Sequence, residues 1–121
     1  METYIATVFA KPGSEDEVAT FYSELGTQYT AAKGFLGRQI HKALTGTMIA
    51  AVRKVRTEEE LAAHAEAEGP KGTHFVIIEQ WENVDDRIAF SQSLDSSRTA
   101  KLFPHLLPEH THEFYSDITP D

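Results

Sequence analysis

From Thr73 to Glu82 the chain reads Thr-His-Phe-Val-Ile-Ile-Glu-Gln-Trp-Glu, its densest β-branched and aromatic run, and such a run predicts a central strand. At a period of two, Phe75, Ile77, Glu79 and Trp81 share one face, while His74, Val76, Ile78 and Gln80 share the other. Apolar residues stand on both faces, so both are expected to be covered by protein. Upstream, Tyr4 to Ala10 predicts a first strand, stopped by Lys11-Pro12-Gly13. The pattern then changes period: Val18, Phe21, Tyr22, Leu25, Tyr29 and Ala32 recur at three- and four-residue steps, an apolar helical stripe that ends at Lys33-Gly34. Ser14 with Glu17 has the spacing of a capping box at the start of that helix.

Phe35 to Ala43 predicts a second strand, with Leu36, Arg38, Ile40 and Lys42 opposed to Phe35, Gly37, Gln39 and His41. Residues 48–72 then intervene before the central strand and are read as an insertion. Thr57 with Glu60 opens an alanine-rich helix through Leu61, Ala62, Ala65 and Ala67, stopped by Gly69-Pro70, whereas periodicity alone leaves Met48 to Val55 open between strand and helix. After Trp81, Asn83 caps a further predicted helix with Val84, Ile88 and Phe90 or Ser91 turned inward. Arg98 to Leu107 is helical in pattern, with Leu102, Phe103, Leu106 and Leu107 inward and a fresh turn or kink at Pro104. Glu109 to Ile118 is the last strand.

Strand, helix, strand, insertion, strand, helices, strand is the split βαβ order of an α+β, ferredoxin-like βαββαβ fold with an antiparallel sheet. Its helices cover one sheet face only. A central strand that is apolar on both faces therefore calls for a second copy of the sheet against the open face, related by two-fold symmetry. A homodimer is expected, with Val76, Ile78 and Gln80 in the contact.

Composition narrows the picture. The 121 residues, 40% hydrophobic, suit one domain spanning 1–121. A formal charge of −8 argues against nucleic acid or an anionic membrane as partner. The longest apolar run, Met48 to Val52, falls far short of the ~20 residues that cross a bilayer. Met1-Glu2-Thr3-Tyr4 lacks a basic segment followed by an apolar run, so no secretory signal is expected. With no cysteine there is no disulfide, thiolate metal site or thiol nucleophile, and a cytoplasmic location is the expectation.

Among polar candidates, Glu79 stands out, because a carboxylate on the Phe75, Ile77, Trp81 face must be paired or carry a raised pKa. Arg38, Arg87 and Lys101 are its candidate partners, and an ion pair is favoured over a catalytic base. Trp81 is favoured as core, and the stripe tyrosines, Tyr22 among them, as core with hydroxyls reaching an edge. His110 and His112 fall on one strand face, the geometry of a two-histidine metal site with Glu109 or Glu113 adding oxygen. No third ligand is identifiable, so no metal is expected there.

Lys11-Pro12-Gly13, Lys33-Gly34-Phe35-Leu36 and the run from Phe75 to Glu82 with its Glu-Gln-Trp-Glu ending resemble the antibiotic biosynthesis monooxygenase family of dimeric α+β barrels. The resemblance covers the chain apart from residues 48–72. It implies a pocket between sheet and helices that contains the strand-end tryptophan, here Trp81. Where the family's polyketide oxygenases have an asparagine, this chain has Ile77. Their helix tyrosine falls near Arg87 and their later arginine near Lys101, which keeps the charge without the planar fork. The haem-degrading branch is not matched: there is no asparagine from Tyr4 to Ala10 and no histidine from Asn83 to Ser93.

That resemblance implies an oxygenase that needs neither metal nor flavin, because a deprotonated phenol or hydroquinone can itself reduce dioxygen. The catalytic set would be Trp81, Glu79 and His41, with His41 or Glu79 as base. Arg38, Arg87 or Lys101 would face the oxyanion, and Ile77 and Tyr22 would touch a small aromatic substrate. The competing reading is a non-catalytic protein whose pocket holds a small aromatic or lipid-like ligand, favoured by Ile77 in place of asparagine.

Overall fold

The computed structural model describes residues 1–64 and 71–121. Its elements, in order, are β1 (Glu2–Ala10), α1 (Glu15–Glu24), α2 (Gly26–Ala31), β2 (Phe35–Lys42), α3 (Thr47–Arg53), α4 (Glu58–His64), β3 (Thr73–Trp81), α5 (Val84–Ser93), α6 (Ser96–Ala100), a 3₁₀ turn (Phe103–His105) and β4 (Leu106–Tyr115). The four strands form one antiparallel sheet in the order β2-β3-β1-β4. This is the ferredoxin-like α+β architecture expected from the order of periods, with α3 and α4 between β2 and β3. No described helix is long and apolar enough to cross a membrane.

The period-two pattern of β3 is reproduced residue by residue: Thr73, Phe75, Ile77, Glu79 and Trp81 are buried, and the residues between them are half-buried. Only the first set lies under helices within one chain. The register carries both faces across the sheet. Tyr4, Ala6, Val8 and Ala10 of β1 lie beside Glu79, Ile77, Phe75 and Thr73, and Arg38 and Ile40 of β2 flank Glu79 and Ile77 from the other side. On the open face, Ile5 is paired with Ile78 and Thr7 with Val76, and Gln39 and His41 stand beside that same pair of β3 residues.

Two apolar clusters lie between sheet and helices. Val18 of α1 packs with Val8, Phe75, Ile77 and Leu102, and Leu25 and Tyr29 pack with Trp81 and Phe90. The long helical stripe thus does what its period requires, but over two helices: α1 closes at Leu25, and α2 restarts at Gly26. The break falls where glycine and a threonine-rich stretch weaken helix propensity.

Several local expectations change. Ser14 makes no side-chain cap to α1, because its hydroxyl is 3.1 Å from His105 Nδ1, tying the loop after β1 to the 3₁₀ turn. Half of the Thr57 box forms: the Glu60 amide donates to Thr57 Oγ1 at 3.2 Å, while the Glu60 carboxylate accepts from the Thr57 hydroxyl and from Arg56. Ala65, Ala67 and Gly69-Pro70 lie outside the described residues. The ambiguous segment resolves as helix α3. Asn83 caps α5 by accepting from the Asp86 amide. The buried face of α5 is Arg87 and Phe90, whereas Val84 and Ile88 are 40% and 48% exposed. A charged residue takes the inward position because its counter-charge, Glu79, waits there. The segment after α6 leaves the helical pattern at Leu106, since Pro104 permits one tight turn and then β4 begins.

Candidate functional site

β3 ends by presenting Glu79 and Trp81 to the underside of α2 and α5, and the Glu79 side chain is 1% exposed. Burial of that carboxylate is tolerable only because three donors meet it. Tyr29 hydroxyl donates to Oε2 at 2.6 Å, Trp81 Nε1 to Oε1 at 2.8 Å and Arg87 Nε to Oε1 at 2.7 Å. Arg87 also bonds Ser91 one turn along α5, and its guanidinium carbon lies 4.2 Å from the Tyr4 ring centroid. Arg38 completes the surround without reaching Glu79. It stacks over Tyr29 at 4.2 Å and donates to the Tyr22 carbonyl at 2.9 Å. Arg87 is thus the partner chosen from the three arginine and lysine candidates.

Beside this network, between α1, the α6 region and the β1-β4 edge, lies a cavity of about 580 Å³, within the size range of small-molecule sites. Its walls are largely apolar: Phe21, Leu25, Leu102 and Leu106 contribute alongside Val8, and Tyr22, Tyr29, Arg87, Thr99, Lys11 and His110 bring the polar atoms. The ring of His110 projects here because its β4 position is paired with Val8 on the helix-covered face. Its Nδ1 is 2.9 Å from the Pro108 carbonyl oxygen. A carbonyl can only accept, so Nδ1 carries the hydrogen, and in the neutral ring Nε2 keeps a lone pair. His112 stands next to it on the same face, with near-parallel rings whose centroids are 5.9 Å apart. It lines a smaller adjoining cavity that also includes Tyr4, Arg87 and Phe114. Among the described residues, no group of three His, Asp or Glu side chains converges as a metal site would.

The residues singled out from the sequence therefore separate into five settings. Tyr22 and Arg87 line the cavity. Glu79, Trp81 and Arg38 sit behind its wall, and their polar atoms engage protein partners. Ile77 lies in the core at 1% exposure. His41 is on the opposite sheet face, where Nε2 meets Gln39 Oε1 at 3.0 Å, and Lys101 lines a different groove with Asp16, Glu17 and Asp95. The expected convergence of His41 with Glu79 is not met, because strand register puts neighbours of unlike parity on unlike faces. In the sequence His110 reads only as half of a metal pair. The signal that marks it is Pro108 two residues earlier, whose carbonyl sets the tautomer, together with its parity relative to Val8.

Burial pushes the Tyr22 hydroxyl pKa up to about 12, and burial, reinforced by Glu79, raises Tyr29. Tyr4 is also raised, burial outweighing the opposing pull of Arg87. These phenols are neutral donors at physiological pH. Unfolded tyrosine ionises near pH 10, so the stability tied to the buried neutral phenol is complete below pH ~10 and is lost as pH climbs towards 12. For Tyr22 the loss amounts to about 2–3 kcal/mol. The urea midpoint is expected to fall across that window and to fall less in Tyr22→Phe; equal slopes in the two proteins would contradict the assignment.

No protein-family model and no curated protein matches this chain. Solved structures do. An antibiotic biosynthesis monooxygenase superposes with a TM-score of 0.63 at 17% identity, covering 98% of this chain and 100% of its own. A mutant of SnoaB, a cofactor-independent oxygenase from Streptomyces nogalater, gives 0.58 at 13% identity, covering 98% and 95%. A protein of unknown function from Nitrosomonas europaea gives 0.61 at 12%, covering 99% and 91%. The chain has the ferredoxin-like α+β fold of the antibiotic biosynthesis monooxygenases. That fold also carries proteins without an assigned reaction, so chemistry must be argued from the cavity.

Proposed function

We propose that this protein is a cofactor-independent oxygenase of a small aromatic hydroxy compound, and that the cavity at the β1-β4 edge is its active site. The observation that carries the reading is a largely apolar cavity into which a tautomer-fixed histidine presents a lone pair, flanked by a neutral phenol and a guanidinium. His110 Nε2 takes the proton of the ring hydroxyl, making an electron-rich phenolate. A ring carbon of the phenolate reduces dioxygen and bonds to it as a hydroperoxide. The O–O bond then breaks: that carbon's remaining hydrogen leaves as a proton and the outer oxygen as hydroxide, together one water, and a carbonyl is left. The substrate supplies all four electrons, so no outside reductant enters. Arg87 and Tyr22 donate to the developing oxyanion, and Glu79, held by Trp81 and Tyr29, positions Arg87.

Oxygen uptake tests this reading. Incubation with naphthols, anthrones and hydroquinones without added cofactor is expected to exceed the uncatalysed rate for at least one of them. One observation favours a second reading, a non-catalytic protein that holds a small aromatic or lipid-like ligand: both strand-end groups, Glu79 and Trp81, are committed to protein partners. No turnover across the panel, together with a small molecule retained in native mass spectrometry, would select it.

The oxygenase is proposed to act as a homodimer through the open sheet face, where Ile5, Val76 and Ile78 are only half-buried in one chain. Covering that face removes more than about 1,200 Å² from water in total. Light scattering at micromolar concentration is expected to give twice the 13.5 kDa chain mass; a particle of one chain mass would contradict the pairing.

A further inference from the structure

The cavity runs along β1, and its charges are unevenly placed. Arg87 lies at the Tyr4 end, beside the β1 residue that pairs with Glu79. His110 sits at the level of Val8, and Lys11 lies at the other end, just past Ala10. The charge of Arg87 is cancelled by Glu79 behind the wall. Lys11 has no such partner: among the described residues its ammonium makes no ion pair or hydrogen bond, while its backbone amide donates to the His105 carbonyl at 2.8 Å and pins it against the 3₁₀ turn. Although the chain carries 19 Asp and Glu against 11 Lys and Arg, no described carboxylate lines this cavity. An acidic protein has kept acid out of one place and set an unpaired cation at its end.

Resting on the oxygenase reading, we infer that the ligand is an aromatic hydroxy acid: its carboxylate meets Lys11, and its ring hydroxyl meets His110. Three residues of strand separate Lys11 from the level of His110, about 10 Å at the rise of a strand. Two fused aromatic rings with the acid and the hydroxyl at opposite ends fit that spacing. Lys11 is the residue that selects for charge. It is exposed, so its attraction is that of a solvent-accessible pair, worth up to about fivefold in affinity, and it weakens as salt screens it.

Calorimetric titration with 6-hydroxy-2-naphthoate and its neutral counterpart 6-hydroxy-2-naphthamide tests the inference on the intact protein. The acid is expected to bind about fivefold tighter than the amide at low salt, with the advantage shrinking in 1 M sodium chloride. Lys11→Gln is expected to bring the two affinities together, and Lys11→Arg to keep them apart. Equal affinities in the unaltered protein, or a preference that survives Lys11→Gln, would overturn the inference while leaving the oxygen-uptake result to stand. A preference for the acid without oxygen uptake would support the inference and remove the oxygenase reading. Failure of both compounds to bind would overturn both.

Discussion

Glu79→Ala is expected to destabilise the protein by about 3–5 kcal/mol, the cost of breaking a buried ion pair by removing one partner. The substitution leaves three donors facing no acceptor: Arg87 Nε, the Tyr29 hydroxyl and Trp81 Nε1. Trp81 is fully buried, so its indole cannot turn to water, and Arg87 would carry a charge into a nearly dry site. Urea unfolding followed by tryptophan fluorescence reads the effect directly, since Trp81 is the sole tryptophan. Glu79→Gln keeps an acceptor oxygen while losing the charge, and its cost is expected to fall between Ala and wild type. A loss below about 1 kcal/mol in Glu79→Ala, coupled to a collapse of turnover, would instead mark Glu79 as a reacting group whose protein contacts are incidental.

His110→Gln is expected to lower the rate of oxygen uptake by about 10²-fold or more, the usual contribution of a positioned general base, while shifting stability by under ~0.5 kcal/mol, as befits an exposed edge-strand residue. A rate in His110→Gln within about twofold of the unaltered protein would assign the base to another group. His112→Gln serves as the internal comparison: it is the neighbouring ring on the same face, but it lines the adjoining cavity, and its loss is expected to leave the rate within about twofold, as for a residue outside the reacting set.

What was legible in the sequence follows from which patterns are local. The faces of β3 were readable because alternation along one strand fixes which residues share a side, and the structure buries Phe75, Ile77, Glu79 and Trp81 together. The need of Glu79 for a partner was equally readable, since an unpaired carboxylate among aromatics is too costly to persist. Which cation would answer it was not. Nothing in the sequence around Arg38, Arg87 or Lys101 singles one of them out, and only the packing of α5 against the end of β3 decides among them. The same packing hid the inward face of α5, where an apolar pattern points to Val84 and Ile88 yet the counter-charge draws Arg87 inside. His41 was misplaced because joining it to Glu79 requires the cross-strand register, which the bulge between Phe35 and Gly37 shifts. His110 was hidden for a related reason: its value lies in pairing with Val8 over a cavity made by distant helices.

A crystal structure of the protein with 1-naphthol bound tests the site beside β4 most directly. The ring is expected between Tyr22 and Leu102 in the cavity beside β4, with its hydroxyl within hydrogen-bond distance of His110 Nε2, on the side of Arg87, and its far edge towards Lys11. A naphthol found instead on the open sheet face, or in the groove beside Lys101, would contradict that placement.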